Sequence, residues 1–156
     1  MIKFIDWISN YTLAPKGQVL KMFLINKKIV EHKFSFEENN INKIDKVELN
    51  KEQKNAYEKI RKSLINSFDP IVLEGVTGSG KTEVYFKAIE KIIKEKKQVL
   101  ILLPEISLSP QLEVRIKKRF GFFPEIWHSK ISEKNKKKAW HKSYNGRPII
   151  FLGARS

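Results

Sequence analysis

The sequence predicts an α/β fold in which a parallel sheet is flanked by helices and preceded by a short helical segment. Between residues 48 and 156, strand-like and helix-like segments alternate, which is typical of parallel sheets with right-handed crossovers. Residues 99–103 form an uninterrupted apolar run, as expected for a strand that is covered on both faces. A glycine-rich turn at 75–80 separates another short apolar run from a helical segment. Together these features favour α/β over an all-helical or all-strand fold.

The individual elements follow from the spacing of apolar residues and from the residues that interrupt it. Ala56, Ile60 and Leu64 share one face of a helix, and Pro70 precedes a short apolar strand. In order, the predicted elements are a helix at 51–67, a strand at 71–73, a helix at 81–96, a strand at 98–103, a helix at 110–120, a strand at 126–127, a helix at 132–144 and a strand at 149–152.

Ahead of these elements lie two further zones. Residues 1–25 contain two short helical stripes, separated by the Pro15-Lys16-Gly17 turn. Residues 26–47 are rich in Lys, Glu and Asn, which indicates a linker or a weakly ordered segment. Two short helices bury little surface by themselves, so we expect them to pack on another element.

The charge of the chain favours a polyanionic partner. Its 156 residues include 31 Lys plus Arg against 17 Asp plus Glu, a formal net charge of +14. Each phosphate that such a surface neutralises releases a condensed counterion, which favours nucleic-acid binding. The alternative, in which the charge serves solubility only, remains open at this point.

Composition also excludes several classes of site. The chain has no cysteine, which excludes disulfide scaffolds, thiol nucleophiles and cysteine-ligated zinc. His32, His128 and His141 are too widely spaced to suggest a metal site. The longest apolar run is far shorter than the ~20 residues of a membrane span, and residues 1–10 lack the features of a secretory signal. We therefore expect a cytoplasmic protein with no membrane partner.

The strongest chemical signal is Gly75-Val76-Thr77-Gly78-Ser79-Gly80-Lys81-Thr82, a complete G-x-x-x-x-G-K-[ST] motif. Glycines let the backbone wrap so closely that successive N–H groups face phosphate oxygens. The helix that starts near Lys81 adds its positive N-terminal dipole. Lys81 suits the β- and γ-phosphates, and the Thr82 hydroxyl suits Mg²⁺. The predicted strand before the loop and helix after it are the context that the motif requires, so the sequence predicts a nucleoside triphosphate site.

A carboxylate that would assist hydrolysis is not evident. Such a group is expected at the end of a later strand, where it holds Mg²⁺ and orients water. The three aspartates, Asp6, Asp45 and Asp69, all precede the loop, and the Pro104-Glu105-Ile106 context of Glu105 indicates a loop-shaping role. Two alternatives to a motor ATPase therefore stay open: a P-loop kinase or phosphotransferase, and a non-catalytic basic DNA-binding module.

The loop is part of a longer collinear resemblance. Residues 73–85 and 98–112 resemble two segments of the primosomal protein N′ (PriA) family, the superfamily 2 replication-restart DNA helicases of bacteria. Further matching pieces occur in the same order, namely Asn10–Pro15, Leu49-Asn50-Lys51-Glu52-Gln53, His128-Ser129 and Gly153-Ala154-Arg155-Ser156. The resemblance covers most of residues 4–25 and nearly all of 49–156.

The resemblance implies a partial RecA-like P-loop NTPase lobe from an ATP-dependent 3′–5′ DNA helicase of primosome assembly and replication restart. It implies catalytic roles for Lys81 and Thr82, with Mg²⁺ held at Thr82 through the nucleotide. It implies that Gln53 joins residues 75–82 in binding ATP. The implied partners are single-stranded or forked DNA and other primosome proteins, and the implied DNA-binding residues are Pro104, Ser107, Gln111, Arg155 and Ser156.

The resemblance also implies a division of the chain. Residues 1–25 correspond to a helical remnant of the N-terminal DNA-binding domain, 26–47 to a linker or degenerate winged-helix region, and 48–156 to a truncated first helicase lobe. The acidic D-E-E-H motif, the second lobe and the cysteine-rich zinc insert of the family have no counterpart here. We therefore expect a fragment that binds no zinc and is inactive alone.

The lysine-rich run at 134–142 has two interpretations. It is either a nucleic-acid surface or a solvated helix face with Trp140 buried. The sequence does not favour one over the other.

Overall fold

The computed structural model describes residues 2–23, 44–45, 47–64, 69–104, 110–128 and 130–154. The chain divides into two compact units, Met1–Ser35 and Phe36–Ser156. The predicted boundaries at residues 25 and 47 remain predictions, and most of the 26–47 segment lies outside the described residues. No described helix is both long enough and apolar enough to span a membrane.

The first unit contains the two predicted helices, α1 (Ile2–Thr12) and α2 (Lys16–Phe23), packed against each other. Ile5 and Val19 are its buried apolar residues. The break between the helices falls at 13–15 and not at Pro15-Lys16-Gly17, because Leu13 adopts a left-handed φ of 56° and ends α1. Gly17 already belongs to α2.

The second unit is a parallel α/β structure, which confirms the predicted fold class. Within the described residues its sheet has three strands in the order β1-β3-β2, all parallel. Leu103 lies opposite Ala154, so the carboxyl ends of β1 and β3 adjoin. The elements are α3 (Lys51–Ser63), α4 (Lys81–Lys94), β1 (Val99–Leu103), α5 (Pro110–Phe120), β2 (Glu125–Trp127), α6 (Glu133–Tyr144) and β3 (Ile150–Ala154).

The core lies on one face of this sheet. Side chains of α4 and α5 pack there against β3, and the Phe86 and Phe120 rings meet edge to face with centroids 5.4 Å apart. On the opposite face β1 exposes Leu100 and Leu102, at 63% and 67% of their surface. The buried core residues are Phe86, Ile89, Ile93, Ile116, Phe120, Phe122, Ile150 and Leu152.

One predicted strand is wrong. Residues 71–73 belong to no strand in this structure. They border a cavity against Ala56 and Ile60 of α3, and Val72 remains 83% exposed. An apolar run becomes a strand only when a neighbouring strand bonds to it, and within the described residues β1 pairs with β3 alone.

The other boundaries differ by a few residues. Helix α4 ends at Lys94 because Lys96 has a left-handed φ of 58°. Helix α6 begins at Glu133 because Ser132 caps it, accepting a hydrogen bond from the Asn135 amide at 3.3 Å. Helix α3 is described to Ser63, and the rest of the predicted 51–67 helix, apart from Leu64, lies outside the described residues.

Candidate nucleotide-binding site

The glycine-rich loop ends where α4 begins. Gly80 is the N-cap of α4 with φ 82°, and Gly78 has φ 85°. Both values lie in the left-handed region, where a side chain costs about 1–2 kcal/mol per residue. Glycine at these two positions therefore lets the chain turn sharply and present the first amides of α4, the end of the helix that attracts anions.

The Lys81 side chain is hydrogen-bonded to the backbone of the loop. Its Nζ donates hydrogen bonds to the carbonyl of Gly75 and, at 2.9 Å, to that of Val76. A Cβ on Gly75 would lie 2.8 Å from Ser79 Oγ, so a side chain at position 75 would have to displace the Ser79 hydroxyl. The ammonium group and the helix N-terminus thus lie together, which is the electrostatic arrangement that a phosphate chain requires.

Gln53 links α3 to the same loop. The side-chain Oε1 of Gln53 accepts a hydrogen bond from the backbone amide of Asn50 at 3.0 Å. The backbone amide of Gln53 in turn donates to Asn50 Oδ1 at 2.9 Å, and the two bonds form a capping box. Its Nε2 donates to the Ser79 carbonyl at 3.4 Å. A Cβ on Gly80 would collide with that Nε2. Gln53 therefore contacts the loop backbone at the point where α4 starts.

Thr82 lies in the first turn of α4 and is half-buried. A threonine hydroxyl is a neutral oxygen ligand of the type that Mg²⁺ accepts beside phosphate oxygens. The described residues contain no cluster of three or more acidic, histidine or cysteine side chains that would hold a metal by themselves. Thr82 is thus the loop residue that would hold Mg²⁺ if a nucleotide carried the ion there.

Behind the loop, α4 buries a charged group. Glu90 is 4% exposed, and its carboxylate accepts hydrogen bonds from Lys94 at 2.6 Å and Lys87 at 3.0 Å. Burial raises the pKa of the Glu90 carboxyl, but the hydrogen bonds from Lys94 and Lys87 outweigh burial, so the net pKa is lowered. Glu90 is therefore ionised in the folded protein at neutral pH.

Comparison of this sequence with known proteins identifies its family. A family model described as "Type III restriction enzyme, res subunit" matches residues 46–155. The chain belongs to that family. The match includes the phosphate loop, Gln53 and the three described strands, so it coincides with the described α/β unit.

Relatives of the chain carry the name Replication restart protein PriA. One from Rickettsia felis is 37% identical over 158 residues, which cover 100% of this chain and 24% of the relative. Another from Haemophilus influenzae is 40% identical over 74% of this chain and 16% of the relative. A third, from Bacillus subtilis, is 41% identical over 73% and 14% respectively. The resemblance to the PriA family is thus confirmed, and the chain spans 24% or less of these three relatives.

The structure describes two of the five predicted DNA-binding residues, Pro104 and Gln111. Pro104 is exposed directly after β1, and Gln111 is exposed in the first turn of α5. Because β1 and β3 adjoin at their carboxyl ends, Pro104 lies at the sheet edge where Ala154 ends β3. Ser107, Arg155 and Ser156 lie outside the described residues, as does Ser129 of the His128-Ser129 pair.

Three residues of the site region escaped the sequence reasoning. The role of Asn50 could have been predicted, since an Asn followed three residues later by Gln is a capping-box signature. Glu90 was partly readable, because lysines lie three residues before and four residues after it on the same helix face. Arg119 had no local signal, since its contact with Glu90 joins α5 to α4.

Proposed function

We propose that the chain is the ATP-binding portion of a PriA-type, ATP-dependent 3′–5′ DNA helicase that acts in primosome assembly and replication restart. The observation that carries this proposal is the loop itself, where left-handed Gly78 and Gly80 deliver the Lys81 ammonium to the N-terminus of α4. Family membership over residues 46–155 supports it.

Each residue of the site has its own role in binding the nucleotide. Residues 75–80 supply backbone amides that wrap the triphosphate, and Lys81 exchanges its loop carbonyls for phosphate oxygens. Gln53 holds Ser79 and the start of α4 in place, and in the nucleotide complex it lies on the adenine side. Thr82 would hold Mg²⁺ through its hydroxyl oxygen, and the bound ion would neutralise phosphate charge.

DNA is the proposed second ligand, bound in the cytoplasm together with other primosome proteins. Pro104 follows β1 at the carboxyl end of the sheet, and Gln111 is exposed in the first turn of α5; we assign both to one DNA-facing group with Ser107, Arg155 and Ser156. The net charge of +14 supports contacts to the phosphate backbone. These contacts position the strand without reading its sequence.

We propose that residues 1–156 alone bind nucleotide without hydrolysing it. All three aspartates precede the phosphate loop in the sequence, so the carboxylate that orients an attacking water has no candidate aspartate after the loop. Binding needs only the loop and the helix dipole, whereas hydrolysis needs that further group.

The test is a titration of a fluorescent ATP analogue with Mg²⁺ against the full chain and against Lys81→Ala. Loss of a charge-assisted contact predicts an increase of about tenfold in Kd. Lys138→Ala, which removes the same charge from an exposed site on α6, is the matched control and should leave Kd unchanged.

Three further assays of the same chain test the alternatives and the proposed inactivity. Phosphate transfer to a small acceptor without DNA would favour a kinase. Salt-sensitive DNA binding that ignores both ATP and Lys81→Ala would favour a non-catalytic basic module. Robust ATP turnover by residues 1–156 would contradict the proposed inactivity.

A further inference from the structure

A cavity of about 240 Å³ lies beside α4, between this helix and α5. Three cationic side chains line it, Arg115, Lys118 and Arg119, together with the carboxylates of Asp45 and Glu83. Asp45 is fixed there because its amide donates to the Arg119 carbonyl at 2.9 Å. The walls of the cavity thus carry more positive than negative charge.

Arg119 is the unusual member of this group. It is 4% exposed, and its Nε, Nη1 and Nη2 atoms are buried with no hydrogen-bond partner among the described residues. The carboxylate nearest to it is Glu90, whose Oε2 lies 3.6 Å from Nη2. That distance is too long for a hydrogen bond. Buried guanidinium groups are normally paired and hydrogen-bonded, so Arg119, whose side chain lines the cavity, keeps unsatisfied donors just beneath its surface.

Glu90 does not supply the missing acceptor. Its Oε1 already accepts from Lys94 at 2.6 Å and its Oε2 from Lys87 at 3.0 Å. One carboxylate therefore faces three cations in this cluster. Glu90 thus compensates the charge of Arg119 only in part, and neither carboxylate of the cavity wall, Asp45 or Glu83, forms an ion pair with Arg119.

The other cations of the cavity differ in their pairing. Arg115 donates to Glu83 at 3.0 Å and lies over the Phe86 ring, 5.7 Å from its centroid. Lys118 makes no ion pair within the described part of the chain. Arg119 and Lys118 thus remain to bind an incoming anion, while Arg115 forms part of the wall.

We propose that this cavity binds a phosphate group through Arg119 and Lys118. A guanidinium fork matches two oxygens of a phosphate at once, and an ammonium supplies a third, flexible contact. The source is either free phosphate or the terminal phosphate of a nucleic acid. The site is separate from the loop at 75–82, because Lys81 faces the loop carbonyls while Glu83 faces Arg115.

The experiment follows the arginine side-chain Nε–H signals by NMR, and the sequence contains only five arginines. The full chain carries Lys81→Ala so that phosphate at the nucleotide loop does not contribute. Inorganic phosphate is titrated at constant ionic strength, with Arg119 assigned from an Arg119→Lys variant. We expect a saturable shift of the Arg119 signal, and Lys118→Ala should raise the phosphate Kd by about tenfold.

Lys117→Ala is the matched control, since it removes the same charge from the same helix. The Lys117 ammonium lies over the Phe123 ring and donates to the Gly121 carbonyl, outside the cavity, so the phosphate Kd should not change. A 5′-phosphorylated oligonucleotide and its unphosphorylated form then separate the two sources. An Arg119 signal that ignores phosphate, responds equally to acetate, or weakens equally in Lys117→Ala and Lys118→Ala would overturn the proposal.

Discussion

Gly80 is constrained by its backbone angle and by a neighbouring side chain, whereas Gly78 is constrained by its backbone angle alone. Both residues have left-handed φ angles, 82° and 85°. A Cβ on Gly78 would have nothing within 4 Å, whereas a Cβ on Gly80 would collide with the Gln53 side-chain amide. The pair therefore separates the cost of backbone conformation from the cost of displacing Gln53.

We expect Gly78→Ala to lower the free energy of unfolding by about 1 kcal/mol, because alanine is strained at positive φ. Gly80→Ala should lower it by about 2 kcal/mol, because Gln53 must also move. Urea unfolding of the two variants measures the difference.

A double-mutant cycle with Gln53 checks the cause of that difference in unfolding free energy. In a Gln53→Ala background the extra cost of Gly80→Ala should vanish, since no side chain remains to be displaced. Equal costs for Gly78→Ala and Gly80→Ala in the original chain would show that Gln53 does not press on the helix start.

Among the elements, α4 connects the loop to the buried charges. Its first turn carries Lys81 and its third turn carries Glu90, which also contacts Arg119 of α5. Because the net pKa of Glu90 is lowered from 4.5, its folded state binds protons less tightly than the unfolded chain. The stability that Glu90 contributes is therefore present above about pH 4.5 and is lost as pH falls through the lowered folded pKa.

Glu90→Gln tests that dependence. Removing the carboxylate leaves Lys87, Lys94 and Arg119 without their shared anion, so the free energy of unfolding at about pH 7 should fall by about 2 kcal/mol. The gap between Glu90→Gln and the original chain should shrink as pH falls from about pH 5 to pH 3. Glu133→Gln, with a side chain 72% exposed beside Lys136, is the control, and a constant gap for Glu90→Gln would contradict the argument.

Elements were predictable where local chemistry decides them. Helix α4 begins at Lys81 after Gly80, α5 begins at Pro110, and α6 follows the Ser132 cap. Proline at a first helical position and serine at an N-cap act within one turn, so the sequence displays them. The apolar run 71–73 failed because a strand depends on a distant partner, and the Glu90–Arg119 contact escaped for the same reason.

For the whole molecule, the surplus of positive charge is distributed unevenly. Several acidic residues of the α/β unit are paired, as in the contact between Lys142 and Glu125 and that between Lys136 and Glu133. On α6, Lys134 and Lys138 are exposed and make no ion pair within the described ranges. The Trp140 and Tyr144 rings stack on the same helix at 4.9 Å, so α6 combines cations with an aromatic surface as single-strand binders do.

We therefore expect α6 to contribute to the salt dependence of DNA binding. The affinity for a labelled single strand should fall steeply between about 50 and 200 mM salt. The Lys134→Ala/Lys138→Ala double variant should reduce the slope of log affinity against log salt by about two, one for each lost phosphate contact. Lys54→Ala/Lys59→Ala removes the same charge from exposed sites on α3 and should leave the slope unchanged. If both double variants lower the slope equally, net charge and not the α6 surface governs binding, and the lysine-rich helix is a solvated face.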